Sequence, residues 1–286
     1  MERVGFIGLG IMGKPMALHL LKAGYPVGIL TSSKANVALT EAGAIGYDNS
    51  KTLTENSDII ITMLPDSPEV EEIVFGKAGV LEGISDGKLF IDMSTISPSS
   101  AITIYQKLQE KAVESLDAPV SGGQVGAEAG TLSIMVGGNK GAFSRALPLF
   151  QTMGKNIVLI GDPGAGQTTK ACNQMIVGMT IEAVAEAFAL AKKAGVDLEK
   201  MREVLLGGFA QSKILDLHGK RIIDNNYKPG FKIRLHNKDM DIALATGASF
   251  SLALDGTALV AEKMKQVIAE GNGELDHSSL ALLLNK

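Results

Sequence analysis

Short apolar runs alternate with amphipathic stretches through the first half of the chain. Runs at 3–7, 26–30, 58–63, 88–92, 113–117, 132–136 and 157–160 have the length and aliphatic content of buried strands. Stretches such as 12–23 and 34–42 carry apolar residues at helical spacing. Strands that alternate with helices predict a mostly parallel sheet covered on both faces. The later runs lie closer together, which leaves room for antiparallel pairing there. The pattern changes at Gly161-Asp162-Pro163-Gly164-Ala165-Gly166. From 167 to 194 there is no proline, and Ile176, Met179, Ile181, Val184, Ala187, Phe188 and Ala191 recur at helical spacing. This is long for a globular helix and predicts an element spanning a domain junction. Beyond it the pattern is helical only, at 198–205, 211–225, 237–249, 254–271 and 277–284. The predicted class is α/β plus all-α: a doubly wound domain over 1–161, a linking helix over 162–194 and an all-helical domain over 195–286.

The sharpest local signal sits at the first predicted turn. Val4-Gly5-Phe6-Ile7 leads into Gly8-Leu9-Gly10-Ile11-Met12-Gly13 and a helix start. In such a strand–turn–helix the first glycine permits the turn, the second lets backbone approach a pyrophosphate, and the third lets helix and strand pack closely. The helix N-terminus then offers N–H groups to the anion. A glycine-rich turn with no ligand has the same string; the strand before it and the helix after it favour dinucleotide binding. After the second predicted strand stands Thr31-Ser32-Ser33-Lys34, with no acidic residue to bind ribose hydroxyls. A 2′-phosphate would meet hydroxyls and an ammonium there, which favours NADP(H) while leaving NAD(H) open.

Other strand ends fall where open α/β sheets bind ligands. Leu64-Pro65 and Ser94-Thr95 read equally as turns or as cofactor contacts. In Asp117-Ala118-Pro119-Val120-Ser121-Gly122-Gly123 a hydroxyl and two glycines make either a flexible turn or a carboxylate cradle. Lys170 opens the long helix, and Asn173 and Gln174 share its face. The positive helix end and burial would both favour a neutral amine there, suited to acid/base work, whereas a solvated lysine would do nothing. The charges of Phe231-Lys232-Ile233-Arg234-Leu235-His236-Asn237-Lys238-Asp239 read as a solvated helix cap, with Lys238 alternatively reaching a cofactor across a domain cleft. His19, His218 and His277 have no metal-ligand spacing and read as ordinary helix or loop histidines; no metal is expected. Cys172 reads as a small packed residue.

Bulk properties narrow the classes. The 286 residues are 45% hydrophobic and 20% charged, which suits a large soluble core. A net charge of −4 without a basic block argues against nucleic acid and anionic membrane as partners. A single cysteine excludes an intrachain disulfide and fits a reducing compartment. No leader pattern and no long uncharged apolar stretch is read, so a cytoplasmic location is expected.

Taken together, the ordered motifs resemble the β-hydroxyacid dehydrogenase family over essentially the whole chain. The matching segments are Gly8–Ala17, Asp117–Gly123, Gly164–Gln174 and Lys238-Asp239. The resemblance implies an N-terminal Rossmann-type domain, a long interdomain helix and a helical domain serving substrate binding and oligomerisation. It implies Lys170, Asn173 and Gln174 as catalytic residues. It implies Ser121, Gly122, Gly123, Phe231 and Asp239 for substrate. For cofactor it implies Gly8, Leu9, Gly10, Ile11, Met12, Gly13, Thr31, Ser32, Leu64, Pro65, Thr95 and Lys238. The Asn173-Gln174 pair, Gly207-Gly208-Phe209-Ala210, Pro229-Gly230-Phe231 and Asp276-His277-Ser278 are similar to the tartronate semialdehyde reductase subgroup. Thr31-Ser32 departs from the Asn-Arg or Asp-Arg pair usual there. The implied reaction reduces a small carboxylate-bearing aldehyde, tartronate semialdehyde to D-glycerate first, in a homo-oligomer. Glyoxylate, succinic semialdehyde, 3-hydroxyisobutyrate, L-threonate and sulfolactaldehyde are the competing substrates, and a silent dinucleotide-binding sensor is the non-enzyme alternative.

Overall fold

The computed structural model describes residues 1–32 and 36–284. The chain divides into two compact units, Met1–Lys170 and Ala171–Lys286. Among the described residues the first holds nine strands: β1 (Val4–Ile7), β2 (Val27–Leu30), β3 (Ile45–Tyr47), β4 (Ile59–Thr62), β5 (Leu89–Asp92), β6 (Glu114–Asp117), β7 (Val120–Ser121), β8 (Leu132–Gly137) and β9 (Gly154–Gly161). They form one sheet in the order β3-β2-β1-β4-β5-β6-β8-β7, with β9 on β8. Pairing is parallel from β3 to β6 and again between β8 and β9. It is antiparallel where β8 meets β6 and β7. This is the doubly wound sheet expected from sequence.

The helices of this unit are α1 (Gly13–Lys22), α2 (Asn36–Glu41), α3 (Ser50–Glu55), α4 (Ser67–Phe75), α5 (Val80–Gly83), α6 (Pro98–Gln109), α7 (Gly123–Ala129) and α8 (Lys140–Met153), followed by the start of α9 (Ala165–Lys193). Alternate strand residues feed two cores, because side chains of a strand point to opposite faces. Phe6, Ile59, Ile61 and Ile91 pack with α1 and α8 residues such as Met16, Leu20 and Phe150. Ile7, Ile60 and Phe90 pack with Leu53, Val70, Val74 and Ile104 of α3, α4 and α6.

The second unit takes the rest of α9 with α10 (Leu198–Leu206), α11 (Lys213–Ile223), α12 (Ile233–Ser249) and α13 (Asp255–Val267). The stretch predicted as one helix over 254–271 passes after Val267 into a π turn, Ile268–Asn272, with Gly271 at φ +86°. The predicted helix at 277–284 is a 3-10 helix, His277–Leu284. By length and apolarity α9 would pass for a membrane span, with a mean hydropathy of 1.4 over its most apolar window. That stretch is not uncharged, since Lys170, Glu182 and Glu186 lie along it. Its Ile181, Val184, Ala185 and Phe188 lie in the two apolar cores of the helical unit, so it is a core helix there.

Candidate active site

The glycine turn joins β1 to α1. Gly8 has φ +103°, and a Cβ there would lie 2.2 Å from the Met63 carbonyl oxygen of the neighbouring strand end. At Gly13 a Cβ would lie 1.9 Å from the Gly8 carbonyl oxygen. The protein's own packing therefore demands both. Gly10 is different: a Cβ there meets nothing within 4 Å. The space is left for something other than the protein. No side chain caps α1 at Met12 and its first turn has no acidic residue, which leaves this helix end open to an anion, although the Lys14 N–H is taken by the Gly10 carbonyl at 3.0 Å and Pro15 has none. The turn also sits where β1 lies between β2 and β4, the reversal point of the strand order. These features fit a dinucleotide pyrophosphate. Leu9 is buried and Ile11 exposed. Thr31 and Ser32 are exposed after β2, and the Thr31 hydroxyl donates to the Tyr47 carbonyl at 3.3 Å. Ser33 and Lys34 lie outside the described residues.

The other strand ends are tied to one another and to α9. The Leu64 N–H donates to Ser94 Oγ at 2.8 Å. Gln167 accepts the Ile96 N–H at 3.1 Å and donates from Nε2 to the Ser94 carbonyl at 2.8 Å. It thereby brackets Thr95. Asp117, at the end of β6, accepts the N–H groups of Gly164 and Gln167, each at 2.8 Å. Its carboxylate therefore caps the start of α9. Burial pushes the Asp117 carboxyl up, while those N–H groups pull it down. Asp92 accepts from Thr62 Oγ1 at 2.7 Å and from the Ser94 N–H at 3.2 Å. Burial, with a smaller contribution from Asp117, raises Asp92 to about 6 against the hydrogen bonds of Ser94 and Thr62. Lys170 follows Gln167 by three residues and is 7% exposed, so it is not a solvated surface lysine. Ser121 ends β7, and Gly122 and Gly123 follow with φ of +139° and +60°, values that L side chains resist. No side chain caps the short helix they open.

In the helical unit, four predicted residues come together. Asn173 Nδ2 donates to Gln174 Oε1 at 2.7 Å, and Gln174 Nε2 donates to Asp239 Oδ2 at 2.6 Å. Lys238 Nζ lies 3.0 Å from the other oxygen, Asp239 Oδ1. The ion pair is half of an explanation for Asp239 being buried; the Gln174 amide is the other half.

Three expectations need correction. The segment around Lys238 is no solvated cap: His236 and Asp239 are buried, and α12 begins at Ile233, four residues earlier than its pattern suggested. His218 and His277 are not isolated, because the fold stacks them with His236 and Asp276. His277 Nε2 lies 3.2 Å from His218 Nε2, and its Nδ1 lies 2.9 Å from His236 Nδ1. Phe231 packs against this group, its ring centroid 5.9 Å from His236 and 5.7 Å from His277. Cys172 is exposed, on the side of α9 away from its buried neighbours Ala171 and Gln174. Sequence reasoning read no role for the side chains of Asp92, Asp117 and Gln167, each of which bonds to a partner at least thirty residues away.

Comparison with known proteins agrees with this geometry. Residues 3–161 match the model for the NAD-binding domain of 6-phosphogluconate dehydrogenase. Residues 164–284 match the NAD-binding domain of NADP-dependent 3-hydroxyisobutyrate dehydrogenase. The chain is 46% identical to 2-hydroxy-3-oxopropionate reductase of Escherichia coli, over 99% of this chain and 97% of that protein. It is 39% identical to 3-hydroxyisobutyrate dehydrogenase of Pseudomonas aeruginosa, over 99% and 98%. A solved structure of Mycobacterium tuberculosis 3-hydroxyisobutyrate dehydrogenase with L-serine superposes with a TM-score of 0.91 at 31% identity, covering both chains fully.

Proposed function

Because this chain belongs to the β-hydroxyacid dehydrogenase family of NAD(P)-dependent oxidoreductases, we propose that it reduces a small 3-oxo acid, with tartronate semialdehyde, giving D-glycerate, as its substrate. The observation that carries the reading is Lys170, buried on the first turns of α9, a helix start fixed by Asp117 and Gln167 to the ends of β5 and β6. Gly8–Gly13 hold the pyrophosphate, and Leu64, Pro65, Thr95 and Lys238 make further dinucleotide contacts. The bound nicotinamide supplies the hydride. Ser121, Gly122 and Gly123 hold the substrate carboxylate, helped by Phe231 and Asp239. Lys170 donates a proton to the oxygen that becomes the hydroxyl, and takes it back in the reverse direction. Asn173 and Gln174 orient it. Thr31-Ser32, free of an acidic side chain, favours NADP(H) over NAD(H). The level of identity to the reductase supports the substrate, and the two-amide pair Asn173-Gln174 supports it further.

The test is oxidation of NADPH and of NADH, each with tartronate semialdehyde, glyoxylate and succinic semialdehyde, and reduction of NADP+ with 3-hydroxyisobutyrate and L-serine. The expected result is the highest kcat/KM with tartronate semialdehyde and NADPH. A higher value with another acid replaces the substrate and keeps the proton chemistry. No turnover with any of them, despite nucleotide binding, overturns the assignment in favour of a sensor.

A further inference from the structure

His19 reads from sequence as an ordinary helix histidine, yet the fold gives its ring two acceptors in a distant part of the chain. His19 Nε2 lies 3.0 Å from the carbonyl oxygen of Ala127 and 3.0 Å from that of Glu128. A carbonyl only accepts, so the proton sits on Nε2 and is shared between the two. Both carbonyls belong to the last turn of α7. Gly130, with φ +64°, closes that helix: the Thr131 N–H donates to the Gly126 carbonyl at 2.9 Å, and the Gly130 N–H to the Ala127 carbonyl at 3.4 Å. This closure does not reach the Glu128 carbonyl, and His19 does. The ring also fits against the closing glycine, where a Cβ would lie 3.4 Å from His19 Cε1.

α7 depends on such outside contacts. It is seven residues long, and Gly123 and Gly126 are among them. A helix so short is marginal by itself, and glycine weakens it further. Ala127 is buried in the core that holds Met16, Ala17 and Leu20 of α1, whereas Val125 is exposed. The other end of α7 is the Ser121-Gly122-Gly123 segment. Ser121 is paired with Ser133 of β8. Gly122 is held by the helix: its carbonyl accepts the Gly126 N–H at 3.0 Å, and a Cβ on it would lie 3.1 Å from Leu132 Cδ2. The conformation of the two glycines therefore depends on α7 staying wound, and a side chain of α1 pins the far end of α7.

We propose that His19 is a positioning residue for the substrate: by clamping the last turn of α7 to α1, it fixes the Gly122 and Gly123 main chain that receives the substrate carboxylate. The clamp stands on the geometry above; its effect on turnover rests on the role proposed for Ser121, Gly122 and Gly123. α1 also begins at the glycine turn. One helix thus carries the nucleotide grip at its start and steadies the substrate grip further along.

The test uses the full-length protein with His19→Ala and His19→Gln. Glutamine places an amide donor near the position of the ring Nε2, so it restores the hydrogen bond without the ring. Hydrogen exchange followed by mass spectrometry reads the clamp without any substrate. In His19→Ala the amides of 123–131 are expected to exchange roughly tenfold faster, with those of 8–13 unchanged, and His19→Gln is expected to restore the parent rate. With the acid that the parent turns over best, His19→Ala is expected to raise KM roughly tenfold while kcat and NADPH affinity stay within about twofold, and His19→Gln to recover KM. Exchange at the parent rate in His19→Ala overturns the proposal. So does faster exchange with KM unchanged, which makes His19 a stabilising cap and leaves the reductase reading intact. A rise in KM that glutamine does not recover also overturns it, because the ring's bulk and not its donor then acts. If no acid is turned over, the reductase reading falls, while the exchange rates and their recovery by glutamine still decide the clamp. If His19→Ala does not fold, His19→Leu, which fills the space and donates nothing, takes its place.

Discussion

At position 10 a methyl group would meet nothing, and this makes Gly10 the cleanest probe of the nucleotide site. Gly10→Ala is expected to leave the melting temperature without nucleotide unchanged while weakening NADPH binding by roughly tenfold or more, because the Cβ occupies the approach of the pyrophosphate. Fluorescence titration beside a thermal melt separates the two effects; equal binding by the variant would take the pyrophosphate away from this turn. Lys170→Ala is expected to lower turnover by about two orders of magnitude or more with nucleotide affinity kept, read by steady-state kinetics and the same titration. Asp92 gives a pH signature. Its carboxyl is raised by burial to about 6 from 3.8, so the folded state binds the proton more tightly than the unfolded one. Its contribution is present at low pH and is lost as pH rises through that value. Asp92→Asn is therefore expected to match the parent near pH 4 and to exceed it by on the order of 2–3 kcal/mol near pH 7.5 in urea unfolding. A difference that does not change with pH would mean that Asp92 is not titrating in the fold. Of these residues, Gly10 and Lys170 stood out in the sequence because each sits in a local motif, the glycine turn and the opening of the long helix. Asp92 was not, since the aspartate ending a strand looks the same whether or not it is enclosed.

At the scale of elements, the central strands announced themselves as aliphatic runs because both faces of the sheet are covered. β3 did not: Ile45 is exposed and only Tyr47 is partly buried, so no run of buried side chains marks it. β7 has two residues and no period to detect. The start of α9 depends on a carboxylate about fifty residues earlier, a link invisible to any local pattern. Asp117→Ala leaves the Gly164 and Gln167 N–H groups unpaired, and a loss of about 1–3 kcal/mol in unfolding free energy is expected. An unchanged unfolding free energy would show that another acceptor caps the helix. The histidine line was equally hidden, since 218, 236 and 277 fall on three separate helical segments. No ligand spacing connects them, and only the folded packing of those segments does.

At the scale of the molecule, the division into an α/β half and a helical half was readable from the change in pattern after Gly161, because the two halves bury their chains with different periods. What the chain does with its surface was less so. The helical unit exposes Ile176, Leu190, Val204, Phe209, Phe250 and Leu252. Apolar exposure on this scale predicts self-association, and sedimentation velocity is expected to give a mass at a multiple of 30.0 kDa. A monomer at micromolar concentration would contradict that. The line of histidines carries a further consequence, for inheritance. A glutamine at 218 can donate toward His277 but then turns its oxygen on Asp276, whereas with an asparagine at 276 the same glutamine is accommodated. Replacements among these contacting residues are expected to succeed only as matched pairs, so the residues are expected to change together across descendants of this gene or not at all.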